Sequence, residues 1–199
     1  LLHRRFSFIL PFGFLLSGFA LLVSYLGQMN PQITPLMPVL VSPWLSIHVS
    51  LIMMSYALLA FIMLNGILAL CLRKKESENN VSGNDAIQDN RIEQLTLVSR
   101  LLLYPATFFL GAGIFLGAVW ANVSWGRYWA WDPKEVWALI TFLVYGVAFH
   151  SQSLRIFRKP LFFHIYMILA FLTVLMTYFG VNYVLGGMHS CLLYTSDAA

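Results

Sequence analysis

Ile47-His-Val-Ser-Leu-Ile-Met-Met-Ser-Tyr-Ala-Leu-Leu-Ala-Phe-Ile-Met-Leu-Asn-Gly-Ile-Leu-Ala-Leu-Cys-Leu72 runs without an Asp, Glu, Lys or Arg and stops at Arg73-Lys-Lys75. As a helix it is about 39 Å long at 1.5 Å per residue, more than the roughly 30 Å of a bilayer's hydrocarbon core. Four further runs have the same character: Phe6–Gly27, Leu101–Ala121, Val136–Leu154 and Leu161–Leu185. Only 10% of the 199 residues are charged and 59% are hydrophobic, whereas an ordinary soluble domain carries about 25% charged residues. Such a chain cannot clothe a water-facing surface. The expected fold class is an all-α integral membrane protein of about five transmembrane helices.

Between the first two runs lie Pro31, Pro35, Pro38 and Pro43, which forbid one continuous helix there. Between the second and third sits Arg73 to Arg100, whose stretch Glu76-Ser-Glu-Asn-Asn-Val-Ser-Gly-Asn-Asp85 reads as a polar, mobile loop. Gly113 and Gly117 in the third run form a small-xxx-small pair that lets another helix approach closely. Ten of the twelve basic residues fall on one side of this topology: Arg4, Arg5, Arg73, Lys74, Lys75, Arg91, Arg100, Arg155, Arg158 and Lys159. Arg127 and Lys134 fall on the other. The positive-inside rule makes the first side cytoplasmic and the start of the chain internal. A net charge of +4 gives no reason to expect nucleic acid. Cys71 and Cys191 share no motif spacing, so neither a disulfide framework nor a zinc site is indicated. The first apolar run is too long for a signal peptide and has no cleavage site after it. The start at Leu1 reads as a truncation, and 191–199 as a non-native tail.

All six tryptophans (Trp44, Trp120, Trp125, Trp129, Trp131 and Trp137) fall at or near the outer side. An interfacial belt would distribute them over both sides. Five lie in the eighteen residues Trp120 to Trp137. Part of that segment is a helix start: Asp132 as N-cap, Pro133 at the first helical position and Glu135 completing a capping box. Capping does not account for the indoles. A large planar ligand such as a porphyrin would stack on their faces, with Arg127 and Lys134 placed to pair with its propionates. A peptide-binding surface is the competing account.

The five histidines separate by depth. His3 and His164 lie beside cytoplasmic ends and are given no role. His48 opens the second run near Trp44, and His189 follows the fifth run after Gly186-Gly187, both on the tryptophan side. Haem iron takes two axial ligands, and neutral imidazole serves well. His150 lies thirteen residues beyond Trp137, about 20 Å along a helix. Most histidines so placed are helix contacts, yet an ionisable group within a span is a functional candidate.

The string Trp125-Gly-Arg-Tyr-Trp-Ala-Trp-Asp-Pro-Lys-Glu-Val-Trp-Ala-Leu-Ile-Thr141 resembles the "WWD" signature of haem-handling proteins. With Trp44-Leu-Ser-Ile-His-Val49 and Gly180-Val-Asn-Tyr-Val-Leu-Gly-Gly-Met-His-Ser190, it most resembles the CcsA/ResC branch of System II cytochrome c biogenesis. The resemblance covers about Pro38 to Ser190. It implies haem export and presentation to apocytochrome c outside the cytoplasm, with His48 and His189 as external axial ligands of haem b. It also implies porphyrin contacts from Trp120, Trp125, Arg127, Tyr128, Trp129, Trp131, Asp132 and Trp137, and puts His150 on a transmembrane haem route. Where the family often has Leu-His-x-Arg, this chain has Phe149-His-Ser-Gln152.

On this reading residues 1–190 form one transmembrane haem-handling domain in a bacterial cytoplasmic membrane, with a cytoplasmic loop at 73–100 and an external tryptophan loop at 122–135. Expected partners are haem, apocytochrome c, a CcsB-like membrane protein (fused upstream or separate), thiol-reducing proteins and membrane lipid. The chain would be a component of a cytochrome c synthase of the haem lyase type. Its role would be orientation rather than acid–base catalysis, and it has no Cys-x-x-Cys-His of its own. The alternatives are a System I-type chaperone that passes haem to a separate carrier, a transporter of another solute, and a haem-based electron carrier. A transporter would show more polar residues near the midplane than His150, Asn65 and scattered hydroxyls. An electron carrier would stack its histidines within the helices.

Overall fold

The computed structural model describes residues 13, 14, 17, 43–78, 85–150 and 153–185. The chain divides into two units, Leu1–Met37 and Pro38–Ala199. Of the first, Gly13, Phe14 and Ser17 are described and are helical. The first apolar run, Pro31, Pro35, Pro38, His3, His189 and 191–199 otherwise lie outside the described residues.

The described residues of the second unit are mainly helical. Helix α1 spans Pro43–Glu78, α2 Asp85–Trp125, and α3 Pro133–Val147, the last continued by a 3-10 turn at Ala148–His150. A second 3-10 turn, Arg155–Arg158, leads into α4, Pro160–Leu175, which passes into a π-helical segment at Met176–Leu185. Among the described residues, three stretches are long and apolar enough to cross a membrane: Pro43–Arg73, Asp89–Trp125 and Pro160–Asn182. Their outer surfaces fit that solvent. On α2 the exposed Leu97, Leu101, Tyr104, Phe108 and Phe115 recur at helical spacing, and on α4 Ile165, Leu169, Leu172 and Leu175 do the same. Apolar stripes of that length face hydrocarbon rather than water. The chain is an all-α membrane protein.

Two sequence expectations are corrected. Much of the stretch expected to be a loop at 73–100 is helical, because α1 runs on to Glu78 and α2 begins at Asp85. Lys, Glu, Gln and Arg are good helix formers once outside the apolar layer. The fourth run does not stay α-helical to Leu154: α3 ends at Val147, and a 3-10 turn tightens its last carbonyls. Pro105 lies inside α2, which continues through it, as membrane helices do when neighbours satisfy the freed backbone group.

α1 and α2 pack antiparallel along their length. Ser55 Oγ donates to the Ala106 carbonyl at 2.8 Å, and Asn65 Nδ2 donates to Ser99 Oγ at 3.3 Å. A Cβ on Gly113 would stand 2.6 Å from Ile52 Cδ1, so the expected small-residue contact is made, and made with α1. α4 joins where Gly66 faces the His164 carbonyl. The core combines Leu59 and Ile62 of α1, Leu103 and Ala106 of α2, Tyr145 of α3, Phe157, and Phe163, Met167, Ala170 and Val174 of α4. Arg100 donates to the carbonyls of Phe157 and Arg158 at 2.7 and 3.4 Å and lies over the Phe163 ring. It thereby caps the turn before α4 with a cation. The alternating directions bring the start of α1, the end of α2, the loop 126–132, the start of α3 and the π-helical segment to one end of the bundle.

Candidate functional site at the tryptophan end

The loop between α2 and α3 is short and tightly held. Gly126 turns the chain with φ +73° and hands its N–H to the Asn122 carbonyl at 2.9 Å. At the other side the capping box forms as expected: the Asp132 carboxylate accepts from Lys134 N, and Glu135 answers to the cap backbone. Glu135 Oε2 accepts from Ala130 N at 2.8 Å and from Asp132 N at 3.3 Å. These two N–H groups bracket Trp131, which has φ +58°, the left-handed region that costs a non-glycine residue about 1–3 kcal/mol. Trp131 is 75% exposed. A strained backbone is thus clamped from both sides to leave a large apolar ring uncovered.

The other rings occupy graded depths. Trp120 is buried; Trp125, Trp129 and Trp137 are half-buried; Tyr128 and Arg127 are exposed. Trp120 and Trp125 meet edge-to-face with centroids 5.0 Å apart, and Trp129 and Trp131 do so at 6.0 Å. Edge-to-face pairing fixes each ring's tilt without stacking its face on a neighbour. Asp132 is buried, as its capping role requires.

Lys134 is placed differently from its sequence expectation. Its ammonium donates to Asn182 Oδ1 at 3.0 Å, and Asn182 in turn donates to the Tyr178 carbonyl. This bond ties the start of α3 to the π-helical segment, seven residues before His189. Thr141 and Thr177 continue the same seam at 3.1 Å. Asn182 was not singled out from the sequence. A lone amide at the end of an apolar run, with one cation on the same side, was the available signal.

His48 sits one turn into α1 with its ring against α2. Its Nδ1 lies 2.7 Å from the Gly113 carbonyl, and a Cβ on Gly117 would stand 2.7 Å from its Cε1. Trp44 is exposed on the preceding turn. His150 stands at the far end of α3, exposed, with Nδ1 3.3 Å from the Gly146 carbonyl. The structure therefore gathers His48, Trp120, Trp125, Arg127, Tyr128, Trp129, Trp131, Asp132 and Trp137 at one end and leaves His150 away from them. His189 lies outside the described residues.

His164, passed over in the sequence, is only 1% exposed. Thr96 Oγ1 donates to the Ile92 carbonyl at 2.7 Å and lies 2.9 Å from His164 Nε2. His164 Nδ1 and Asn65 Oδ1 have no hydrogen-bond partner among the described residues. Its position inside, rather than beside, the run Leu161–Leu185 was the overlooked signal.

Haem is suited to such a donor set: an imidazole, graded indoles and an exposed guanidinium at the apolar end of a helix bundle. Known proteins have related sequences. Residues 2–189 match the family model described as cytochrome C assembly protein. The chain is 39% identical over 190 residues to Protein NrfI of Wolinella succinogenes, covering 96% of this chain and 20% of that one. It is 39% identical over 186 residues to the cytochrome c biogenesis protein CcsA of Chlamydomonas reinhardtii, covering 92% of this chain and 50% of the relative. To CcsA of Prochlorococcus marinus (strain NATL1A) it is 34% identical over 206 residues, covering 90% and 64%. The chain thus spans a fifth to under two thirds of these relatives' lengths, and with nearly all of its own length matched it belongs to the cytochrome c assembly protein family.

Proposed function

We propose that this chain is the haem-presenting membrane part of a c-type cytochrome assembly machine. It holds haem b as cargo at the tryptophan end for covalent attachment to apocytochrome c. The observation that carries the reading is the clamped, exposed Trp131 on the same bundle end as His48. Family membership supplies the context. His48 and His189 supply the two axial imidazoles. Trp120, Trp125, Trp129, Trp131, Trp137 and Tyr128 line the porphyrin, Arg127 meets a propionate, and Asp132 holds the loop in register. Lys134 acts mainly through Asn182. His150, at the other end, belongs to an inner stage of the haem route.

The tryptophan end faces the outer compartment of a bacterial cytoplasmic membrane; the ten-to-two charge split supports this orientation. In use the site brings haem vinyl groups and reduced acceptor cysteines together, a matter of orientation more than proton transfer. Thiol-reducing proteins and a CcsB-like membrane protein complete the assembly. The test is a visible absorption spectrum of the protein purified in detergent. A sharp low-spin haem spectrum is expected; folded, colourless protein would contradict the reading.

A further inference from the structure

We propose that the backbone of α2 selects which nitrogen of His48 meets the haem iron, with Gly113 and Gly117 as positioning residues. This rests on the reading of His48 as an axial ligand and adds to it the device that aims the ring. A carbonyl oxygen can only accept, so at 2.7 Å from the Gly113 oxygen the His48 Nδ1 carries the hydrogen. The lone pair of the neutral imidazole is then on Nε2, and Nε2 is the ligating atom. The carbonyl has two lone pairs and takes this bond without leaving the helical ladder. Hydrogen bonding of the non-ligating nitrogen also raises the basicity of the ligating one.

Gly117, one turn along α2, lets the ring lie that close. An added Cβ there would stand 2.7 Å from Cε1 and 2.9 Å from Nδ1. Neither atom can stay so near a methyl group. At Gly113 a Cβ would meet Ile52 instead, while the carbonyl that holds the ring would remain. The pair of glycines thus divides the labour: one position spaces the helices and provides the acceptor, the other accommodates the imidazole. Their four-residue spacing puts both on one face of α2.

The test fills the hole left by His48→Gly with two small ligands, in the full chain purified with haem. Imidazole and 1-methylimidazole both offer one ligating nitrogen, but only imidazole keeps an N–H for the Gly113 carbonyl. The low-spin spectrum should return at roughly tenfold lower concentration of imidazole than of 1-methylimidazole, the weight of one net hydrogen bond. Equal concentrations would overturn the proposal and leave His48 as a ligand. A low-spin spectrum undisturbed by His48→Gly would overturn the ligand reading itself. If His48→Gly retains no haem, Gly117→Ala decides, beside Gly111→Ala, whose added Cβ meets Phe142 at 3.0 Å and not the histidine. A changed axial spectrum and reduction potential per mole of bound haem in Gly117→Ala alone supports the proposal. Unchanged values in both, or equal changes in both, refute it.

Discussion

At the residue scale, Trp131 joins local strain to an exposed ring. A glycine there would relax the left-handed backbone that the indole-bearing residue must tolerate. Trp131→Gly is therefore expected to leave thermal stability in detergent equal or slightly higher, while haem per mole of protein falls severalfold. Trp131→Ala should lose haem equally and gain no stability. If Trp131→Gly unfolds the protein and the little that folds keeps full haem occupancy, the ring is a structural anchor and not a ligand contact. Glu135 supports the same residue from below. Glu135→Ala releases the N–H groups of Ala130 and Asp132, and a lost helix-start interaction of this kind costs about 1 kcal/mol. Its melting temperature should fall by a few degrees. The capping role of Asp132, Pro133 and Glu135 was legible in the sequence because it depends on neighbours within a single turn. The inverted backbone at Trp131 was not, since indole has no preference for positive φ and only the clamp around it imposes one.

At the scale of elements, the close contact of α2 was readable from Gly113 and Gly117, but its partner was not. Four-residue spacing marks a face without naming what lies against it. The buried seam of Asn65, Ser99, Thr96 and His164 was missed because each residue belongs to a different turn or helix, and only packing brings them together. It also makes a sharp prediction. Asn65 Oδ1 is buried without a partner among the described residues, and an unmatched buried acceptor costs about 1–3 kcal/mol. The double substitution Asn65→Leu/Ser99→Ala, which also removes the buried hydroxyl that the amide satisfies, should match or exceed the parent's melting temperature in detergent. A fall of several degrees would mean that the amide holds a group in the membrane that the contacts above do not include.

At the scale of the whole molecule, the all-α membrane architecture was legible from hydropathy, since an unbroken run of about twenty apolar residues satisfies its backbone in a bilayer as a helix, whereas barrel strands alternate. The helix ends were less legible: polar helix formers carry α1 past the apolar layer, and a 3-10 turn cuts α3 short. Orientation is the global property on which haem presentation depends. Reporters fused within 122–125 should read the outer compartment, and reporters within 77–90 the cytoplasm. A cytoplasmic reading at 122–125 would place the tryptophan end on the wrong side for an apocytochrome outside.

On the proposed reading, haem is ligated at the tryptophan end and not beside His150. The direct measurement is the visible spectrum and haem content of His48→Gly, His189→Gly and His150→Gly, with and without added imidazole. The first two should each lose the low-spin bis-imidazole spectrum and regain it with imidazole, because a vacated outer position is open to small solutes. His150→Gly should lower the amount of haem bound without changing the spectrum of what remains. An axial change in His150→Gly alone, with His48→Gly and His189→Gly intact, would contradict ligation at the tryptophan end and move the iron to the opposite end of α3.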